Sequence, residues 1–395
     1  MREVRPLTAA DIDAAVAIRS FAQWGRVDDD HKQRFARSVP RSLGSFQDGT
    51  LAAVATMHEF DAYVGGSKVT FGGLAGVATS PTHRRKGHVA GLLRAWFERL
   101  HDDGIGLSGE FPFDPSFYAR YGYQTLVNGC VFDMPVERLP RGAHDAVEIG
   151  PDRWAELAPI HAAYARRFSL ALARTDAMRD HWRTVLAPFW ATTPFHAFLM
   201  EDAYLIFSVD DSQDAPTYPK VLVRDVAYAA PAGRDAVFAF LADLAGQVAR
   251  VRIHLPPGDP LLAMWSSWYA TESISYQVRV VDVERALAPL RGERERSFSL
   301  LLRDGECPWN DGVFDVQLTA DGCSAKRSPS AARAVGPGAA DVALDVNTLA
   351  ALLFGAVDPA AAVATGLAEG DGGAIIDLAR LVSGCPTYVS TADHF

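Results

Sequence analysis

The sequence of 395 residues contains little cysteine, and its cysteines do not cluster. The four of them are far apart and form no CxxC pair: Cys130, Cys307, Cys323 and Cys385. A structural zinc site needs clustered thiolates or imidazoles, and disulfide frameworks are typical of short secreted chains. We therefore expect a reduced, cytoplasmic protein without a bound metal.

An excess of basic residues and a long apolar run are also missing. The 38 Lys and Arg residues are outnumbered by 48 Asp and Glu residues, so the formal net charge is −10. Nucleic-acid binding would need a basic face and is not expected, whereas an acidic cleft attracts cationic small molecules. No run of twenty apolar residues occurs, and the charged first segment lacks the apolar region of a signal peptide. No membrane partner is expected.

The most specific pattern in the chain covers residues 72–100. It begins as a strand, which Pro81 ends because proline has no N–H for the sheet. A basic cluster at residues 84–87 follows. Apolar residues then recur at the spacing of an amphipathic helix: Val89, Leu92, Leu93, Trp96, Phe97 and Leu100. With 49% hydrophobic residues, the chain has enough apolar residues for two or three such globular domains.

A strand that turns through a basic, glycine-containing loop into a helix is a suitable phosphate-binding site. The first amides of the helix have no internal partners, the helix dipole attracts an anion, and Gly87 lets the backbone approach a ligand. The P-loop motif GxxxxGK[ST] and the dinucleotide motif GxGxxG are both absent. A solvated basic turn is the alternative.

The pattern V-x-[TV]-x-P-x-x-R-R-x-G, followed by an amphipathic helix, resembles the coenzyme A pyrophosphate site of the GNAT acetyltransferases. This sequence has Val89 where Gly or Ala is usual, and Ala90 and Gly91 follow directly. The resemblance implies that acetyl-CoA is the cofactor. It also implies cofactor contacts from the strand end to the pantetheine arm and from the loop to the pyrophosphate, namely Val77, Ala78, Thr79, Arg84, Arg85, Lys86, Gly87, His88, Val89 and Ala90.

A second motif, F-Y-x-R-x-G-Y at residues 117–123, resembles the corner of the same fold that lies beside the coenzyme thiol. A phenol with an ordinary pKa of about 10 keeps its proton at neutral pH, so Tyr123 is predicted to protonate the departing thiolate. Two core aromatics with satisfied hydroxyls are the alternative. The motifs supply no clear base, because His83 and His88 belong to the basic loop and Glu110 is equally consistent with a surface position.

A second, altered copy of the site is predicted farther along the chain. Residues 223–241 repeat the order strand, Pro231, loop, helix. The basic cluster is reduced to Arg234, flanked by Asp235. We interpret this segment as a GNAT copy that has lost its phosphate site.

A third unit begins near residue 291. Its strands, and a helix that we expect Asn347 to cap, resemble the sterol carrier protein fold. The predicted fold class is therefore α/β (α+β), with an active GNAT domain at 1–143, a degenerate GNAT domain at 144–287 and a sterol-carrier-protein-like domain at 288–395.

This order of units is similar to that of the enhanced intracellular survival (Eis) family of aminoglycoside N-acetyltransferases. The resemblance implies acetyl transfer to several amines of polycationic antibiotics, a homo-hexamer, and the C-terminal α-carboxylate, here that of Phe395, as the base. For the substrate we predict contacts from Trp24 and Asp28, at the mouth of a cation-binding cleft, and from Asp393. A solvated acidic turn is the alternative for Asp28.

The chemistry expected from this resemblance is direct transfer in a ternary complex, in which a neutral amine attacks the bound thioester. A covalent route is disfavoured because Cys130 has no His–Asp constellation near it in the sequence. Two other functions fit the sequence. One is a GNAT-derived binding or scaffold protein with a lipid-binding third domain, and the other is an acetyltransferase of protein lysines.

Overall fold

The structure is a computed structural model that describes residues 1–23, 29–174, 195–210, 219–328 and 340–394. Within these ranges the strands form three sheets. The first sheet has the order β1-β2-β3-β4-β5-β15-β6, with β9 paired to β3. Its strands are β1 (Arg2–Pro6), β2 (Ser42–Gln47), β3 (Thr50–Val64), β4 (Ser67–Thr79), β5 (Leu107–Glu110), β6 (Gln124–Leu126), β9 (Leu172–Ala173) and β15 (Tyr276–Val280).

The second sheet has the order β14-β7-β13-β12-β11-β10-β8, and the third β18-β17-β16-β19-β20. The strands of the second are β7 (Gly129–Pro135), β8 (Val147–Ile149), β10 (Phe195–Met200), β11 (Ala203–Asp210), β12 (Lys220–Tyr228), β13 (Arg250–Leu255) and β14 (Ala270–Ser273). Those of the third are β16 (Arg296–Arg303), β17 (Gly312–Thr319), β18 (Gly322–Arg327), β19 (Val342–Asp345) and β20 (Ala368–Gly370).

Helices cover these sheets. In the described part of the chain they are α1 (Ile12–Gln23), α2 (Asp29–Ser38), α3 (His88–Asp102), α4 (Pro115–Ala119), α5 (Leu157–Ala165), α6 (Pro231–Asp243), α7 (Pro260–Tyr269), α8 (Val283–Leu287), α9 (Val346–Leu353), α10 (Pro359–Ala364) and α11 (Gly372–Arg380). None of them combines the length and the apolar character needed to cross a bilayer. The sequence also predicts a helix at 175–187, and this segment lies outside the described residues.

Helix α3 closes on the first sheet through its apolar stripe. Its residues Leu92, Leu93, Trp96, Phe97 and Leu100 are all fully buried, as the helical spacing predicts. A glycine in β4 makes this approach possible: a Cβ on Gly72 would lie 2.7 Å from Leu100. Helix α3 is therefore packed tightly against the first sheet, whose strand β4 precedes it in the chain.

Strand β4 leaves its neighbour β5 halfway along. The two parallel strands pair only from Gly72 to Leu74 on β4, opposite Ser108 to Glu110 on β5. A bulge follows in β4, with Gly76 at φ +56°, and the strand then continues to Thr79 without a partner on the β5 side in the described structure. The result is an opening between the strands that leads towards α3.

The first two sheets exchange strands. Strand β7, within the predicted first domain, pairs with β13 and β14 of the second sheet. Strand β15, within the predicted second domain, pairs with β5 and β6 of the first sheet. A cut at residue 143 or 287 therefore does not separate one sheet from the other.

The third unit shares one hydrophobic core with the first sheet. Phe71 and Val278 of the first sheet belong to the same buried cluster as Leu300, Leu349 and Leu378 of the third unit. The helix cap differs from the prediction: Asp345, not Asn347, caps α9 by accepting from the Thr348 amide at 2.7 Å. Asn347 is thereby free to contact the first domain.

The sequence of the first domain also predicts strands at 105–107 and 51–57, a turn at Gly65-Gly66, and a capping box of Thr8 and Asp11. The two strands differ from the structure in their bounds. The strand predicted at 105–107 is displaced to Leu107–Glu110, because residues 105 and 106 complete the turn after α3. The strand predicted at 51–57 extends to Val64, where the predicted Gly65-Gly66 turn begins. The capping box of Thr8 and Asp11 is confirmed.

Candidate active site

The loop between β4 and α3, residues 80–87, is shaped by two left-handed backbone positions. Arg85 has φ +59° and Gly87, the residue before α3, has φ +77°. Such conformations are uncommon for a residue with a side chain, and they turn successive amides in one direction. We call residues 80–87 the phosphate loop.

The start of α3 leaves amides available for an anion. The helical ladder begins with the Gly91 amide, which donates to the Gly87 carbonyl at 3.3 Å. The amides of His88, Val89 and Ala90 therefore have no acceptor inside the helix. They lie at the positive end of the helix dipole, beside the phosphate loop.

Cationic side chains surround these amides. Arg84, Arg85 and Lys86 are all exposed. Lys86 donates to the Thr82 carbonyl at 2.9 Å, whereas no ion pair of Arg84 or Arg85 occurs within the described residues. Arg2, from β1, donates to the Gly87 carbonyl at 3.3 Å and adds a charge that the sequence pattern did not indicate. The loop thus offers amides and guanidinium groups to a pyrophosphate.

The side chain of His88 does not belong to this anion site. It is 2% exposed, and its Nδ1 lies 2.9 Å from the Ser45 Oγ of β2. Burial lowers its pKa, and the charges of Arg2, His83 and Lys86 lower it further. The imidazole therefore remains uncharged, and the contribution of His88 to the loop is its backbone amide.

The three strand residues predicted to contact the pantetheine arm line the unpaired end of β4. Val77 and Thr79 are half-buried, and Ala78 is buried against the core beneath α1. Their backbone groups on the β5 side have no strand partner in the described structure, so they can bind an extended amide-containing chain as an added strand would. This opening runs from the phosphate loop to the end of β5.

The hydroxyl of Tyr123 contacts β5 in the segment that still pairs with β4. Tyr123 is fully buried, and its hydroxyl lies 2.9 Å from the Ser108 Oγ, which also accepts from Trp96 Nε1 at 3.2 Å. Burial raises its pKa above the ordinary value, and nearby Glu110 raises it further. The phenol therefore keeps its proton, as an acid must.

The corner that carries Tyr123 is fixed by Gly122. This residue has φ +85°, and a Cβ there would come within 1.7 Å of Arg279. Arg279 is itself fully buried and bonded to Asp304 of the third unit at 2.9 Å. Only glycine fits this position.

Glu110 is buried, so the surface position considered from the sequence is wrong. It is 2% exposed at the last residue of β5, and burial raises its pKa to about 9. Its Oε1 has no hydrogen-bond partner in the described structure. Period-two alternation in the segment LSGE, residues 107–110, places it on the same face as Ser108, and that alternation was the available signal. We call Ser108, Glu110 and Tyr123 the acid cluster.

The end of the chain reaches the same region. The ring of His394 stacks on Phe111, directly after Glu110, with centroids 4.3 Å apart. Asp393 is 1% exposed and is paired with Arg174 at 2.9 Å, and its predicted contact with the substrate stays a prediction. Phe395, Trp24 and Asp28 lie outside the described residues.

The second copy has no equivalent phosphate loop within the described residues. Arg234, in the first turn of α6, is paired with Asp259 at 2.6 Å. Gly233 packs so closely that a Cβ would lie 2.7 Å from the Asp202 carbonyl. The helix start is therefore occupied by the protein's own groups. The described part of the chain also contains no cluster of metal-ligating side chains.

Three segments of the chain match known domain families. Residues 3–126 match an acetyltransferase (GNAT) domain, residues 170–280 match a second family of acetyltransferase (GNAT) domains, and residues 283–390 match a sterol carrier protein domain. The predicted order of two GNAT units and a sterol carrier unit is confirmed.

Relatives and solved structures agree with these matches. The chain is similar to an uncharacterized N-acetyltransferase of Streptomyces coelicolor, with 26% identity over 359 residues and 81% of each chain covered. The fold is similar over 100% of both chains to a GCN5-related N-acetyltransferase from Anabaena variabilis, with a TM-score of 0.86 and 16% identity. Eis1 from Mycobacterium abscessus gives a TM-score of 0.80 and 19% identity over 99% of both chains.

Fold, site and relatives together define a GNAT N-acetyltransferase. The chain carries two GNAT domains followed by a sterol carrier protein domain, and its cofactor is acetyl-CoA. The residues present fit that cofactor, because the phosphate loop supplies amides and cations and β4 supplies an unpaired edge. When bound, acetyl-CoA supplies an activated acetyl thioester.

Proposed function

We propose that this protein transfers the acetyl group of acetyl-CoA directly to an amine of a polycationic, aminoglycoside-like acceptor. The observation that carries the proposal is the opening between β4 and β5. It has the phosphate loop at one end and the buried acid cluster at the other. A pyrophosphate held at the loop places the reactive end of an extended cofactor towards the cluster.

In this proposal, Arg84, Arg85, Lys86 and the first amides of α3 hold the pyrophosphate. The edge of β4 from Val77 to Thr79 binds the pantetheine arm. Both elements are rigid, because α3 is buried against the sheet along its length. Binding therefore supplies proximity rather than chemistry.

Tyr123 is proposed as the acid that protonates the departing thiolate. Its raised pKa keeps the proton in place until a strong base develops beside it. Glu110, which is also protonated at neutral pH, can return a proton to the cluster from the same face of β5.

The base proposed for the acceptor ammonium is the α-carboxylate of Phe395. Support comes from the preceding residue, since His394 lies against Phe111 at the end of β5. Trp24 and Asp28 are retained as proposed substrate contacts. A homo-hexamer is retained from the family resemblance.

The acceptor class rests on charge as well as on resemblance. A net charge of −10 favours a cationic substrate over a nucleic acid. Protein lysines are the second candidate acceptor, because a lysine amine presents the same chemistry on a larger body. A lipid carrier is less well supported, since apolar residues of the third unit pack in one buried cluster with the first sheet, among them Leu300, Leu349, Leu352 and Leu378.

The test is release of coenzyme A thiol from acetyl-CoA in the presence of an aminoglycoside panel, a lysine-containing peptide, or no acceptor. We expect release that depends on an aminoglycoside and double-reciprocal plots that intersect, as a ternary complex requires. Parallel plots would indicate a covalent intermediate. Release with the peptide alone would move the acceptor class to protein lysines.

A further inference from the structure

One buried guanidinium joins three distant parts of the chain. Arg174 directly follows β9, which pairs with the first sheet. Its Nε donates to Asp393 Oδ1 at 3.0 Å. Its Nη2 donates to Asp225 Oδ1, on β12 of the second sheet, at 3.1 Å. Tyr204 accepts from the same guanidinium at 3.0 Å.

Because the charged groups of this cluster are buried, the loss of a contact between them costs free energy of folding. Asp225 and Asp393 are 3% and 1% exposed, and the Arg174 side chain is 10% exposed. The Tyr204 hydroxyl also donates to Asp225 at 2.8 Å. Two buried carboxylates that share one guanidinium depend on it, because either would otherwise be an unpaired charge in an apolar surrounding.

The segment before Asp393 is fixed along its length. We call residues 386–394 the tail. The Tyr388 amide donates to the Ser169 carbonyl at 3.1 Å, and the Val389 amide donates to the Asn128 carbonyl at 3.2 Å. The tail thus crosses the junction of the two sheets, and its last described residue, His394, lies on Phe111 beside the acid cluster.

We propose that Arg174 is a positioning residue that clamps the tail, so that His394 is held against Phe111, the residue after β5. Asp393 is the anchor on the tail, and Asp225 holds the guanidinium in place from the second sheet. The structural role of this clamp does not depend on the proposed function, but its effect on catalysis does.

The clamp is tested without any acetyl acceptor by digesting the folded full-length chain with carboxypeptidase A and measuring the release of phenylalanine. Asp393→Ala removes the anchoring carboxylate together with its hydrogen bond from Arg174. We expect release from this variant to be faster than from the wild type by about tenfold, because cleavage follows the population of the detached tail. An unchanged rate in Asp393→Ala would overturn the proposal.

Arg174→Met, combined with Asp225→Asn to avoid an unpaired carboxylate, should release phenylalanine at least as fast. The matched control is Arg234→Met, which removes another Arg–Asp pair, half-buried between α6 and the start of α7, that has no contact with the tail in the described structure. Equal acceleration in the control would mean that general loosening, not the clamp, exposes the tail, and would also overturn the proposal.

Kinetics then connect the clamp to catalysis. In Asp393→Ala we expect kcat to fall about tenfold while the dissociation constant of acetyl-CoA, from calorimetry, changes less than about twofold. If no aminoglycoside is acetylated by the wild type, the proposed function fails while the carboxypeptidase result still decides the clamp. Faster release with unchanged kcat would instead remove the clamp's role in catalysis.

Discussion

The side-chain amide of Asn347 donates to the backbone carbonyl of Tyr123 at 3.0 Å and to that of Ala119 at 3.2 Å. A residue of the sterol carrier unit thus holds both sides of the corner that carries the proposed acid. We expect Asn347→Ala to lower the free energy of unfolding by about 1–2 kcal/mol, since two carbonyls lose their donor. It should also lower kcat several-fold and leave acetyl-CoA affinity unchanged. Urea unfolding and steady-state kinetics measure both, and an unaltered kcat would show that the corner holds its shape without the third unit.

The phosphate loop predicts a binding defect. Removing one guanidinium in Arg85→Ala should weaken acetyl-CoA binding by about 1.5–3 kcal/mol, the range of a charge-assisted hydrogen bond. Calorimetry on the purified protein measures it. The cost at either arginine alone is smaller if Arg84 and Arg85 share the phosphates, so the double variant is measured too. Arg303→Ala, at an exposed arginine of the third unit, is the matched control. Unchanged affinity in a folded double variant would contradict the site.

One acetyl-CoA should bind per chain. Arg234 remains on Asp259 and the start of α6 is packed against the Asp202 carbonyl, so the described part of the second copy offers neither a free cation nor an open helix end. The measurement is the stoichiometry of a calorimetric titration, and two equivalents per chain would show that the second copy retains a site.

Glu110 predicts a pH dependence of stability. Its pKa of about 9 in the folded protein lies above the ordinary value of 4.5. Between these values the folded state holds a proton that the unfolded state has released, so this carboxyl makes stability fall as pH rises. Each pH unit in that interval contributes at most about 1.4 kcal/mol. Glu110→Gln should therefore gain stability relative to the wild type by up to about 4 kcal/mol between pH 5 and pH 8.

Urea unfolding of both proteins across this pH range measures the difference. Glu98→Gln, at an exposed glutamate of α3, is the control and should follow the wild type. Parallel curves for the wild type and Glu110→Gln would mean that Glu110 is ionised in the folded protein.

The chain end predicts a catalytic defect without a binding defect. Deleting Phe395, or extending the chain beyond it by a short tag, removes or displaces the proposed carboxylate base. Each change should reduce kcat strongly while acetyl-CoA affinity stays nearly constant, since the phosphate loop is untouched. Full activity in either form would place the base elsewhere.

The parts of the site that local sequence determines were predictable. Pro81 ends the pairing of β4, Gly87 supplies the left-handed residue before α3, and the apolar spacing fixes the buried face of that helix. The helix starts at His88, one residue before the first residue of the apolar pattern. All these signals depend on residues that are close together in the sequence, so they can be recognised without the tertiary structure.

The parts that depend on distant partners were not predictable. Glu110 is buried because Leu74 of β4 and Gln277 of β15 flank it on both sides, and β15 comes much later in the chain. Asp393 is paired with a residue 219 positions away. Asn347 is of a residue type that commonly caps helices, but Asp345 caps α9 because β19 ends at Asp345. A sequence pattern can identify such residues, but it does not show which distant residues contact them in the fold.

The exchange of β7 and β15 sets an order on biosynthesis. A ribosome that has finished the segment matching the first GNAT domain has not yet made β15, so the edge of β5 is open and β6 has no strand to join. Open strand edges pair with other chains and promote aggregation. We therefore expect the first sheet to be completed only after residue 280 has emerged. Neither GNAT segment expressed alone contains a complete sheet.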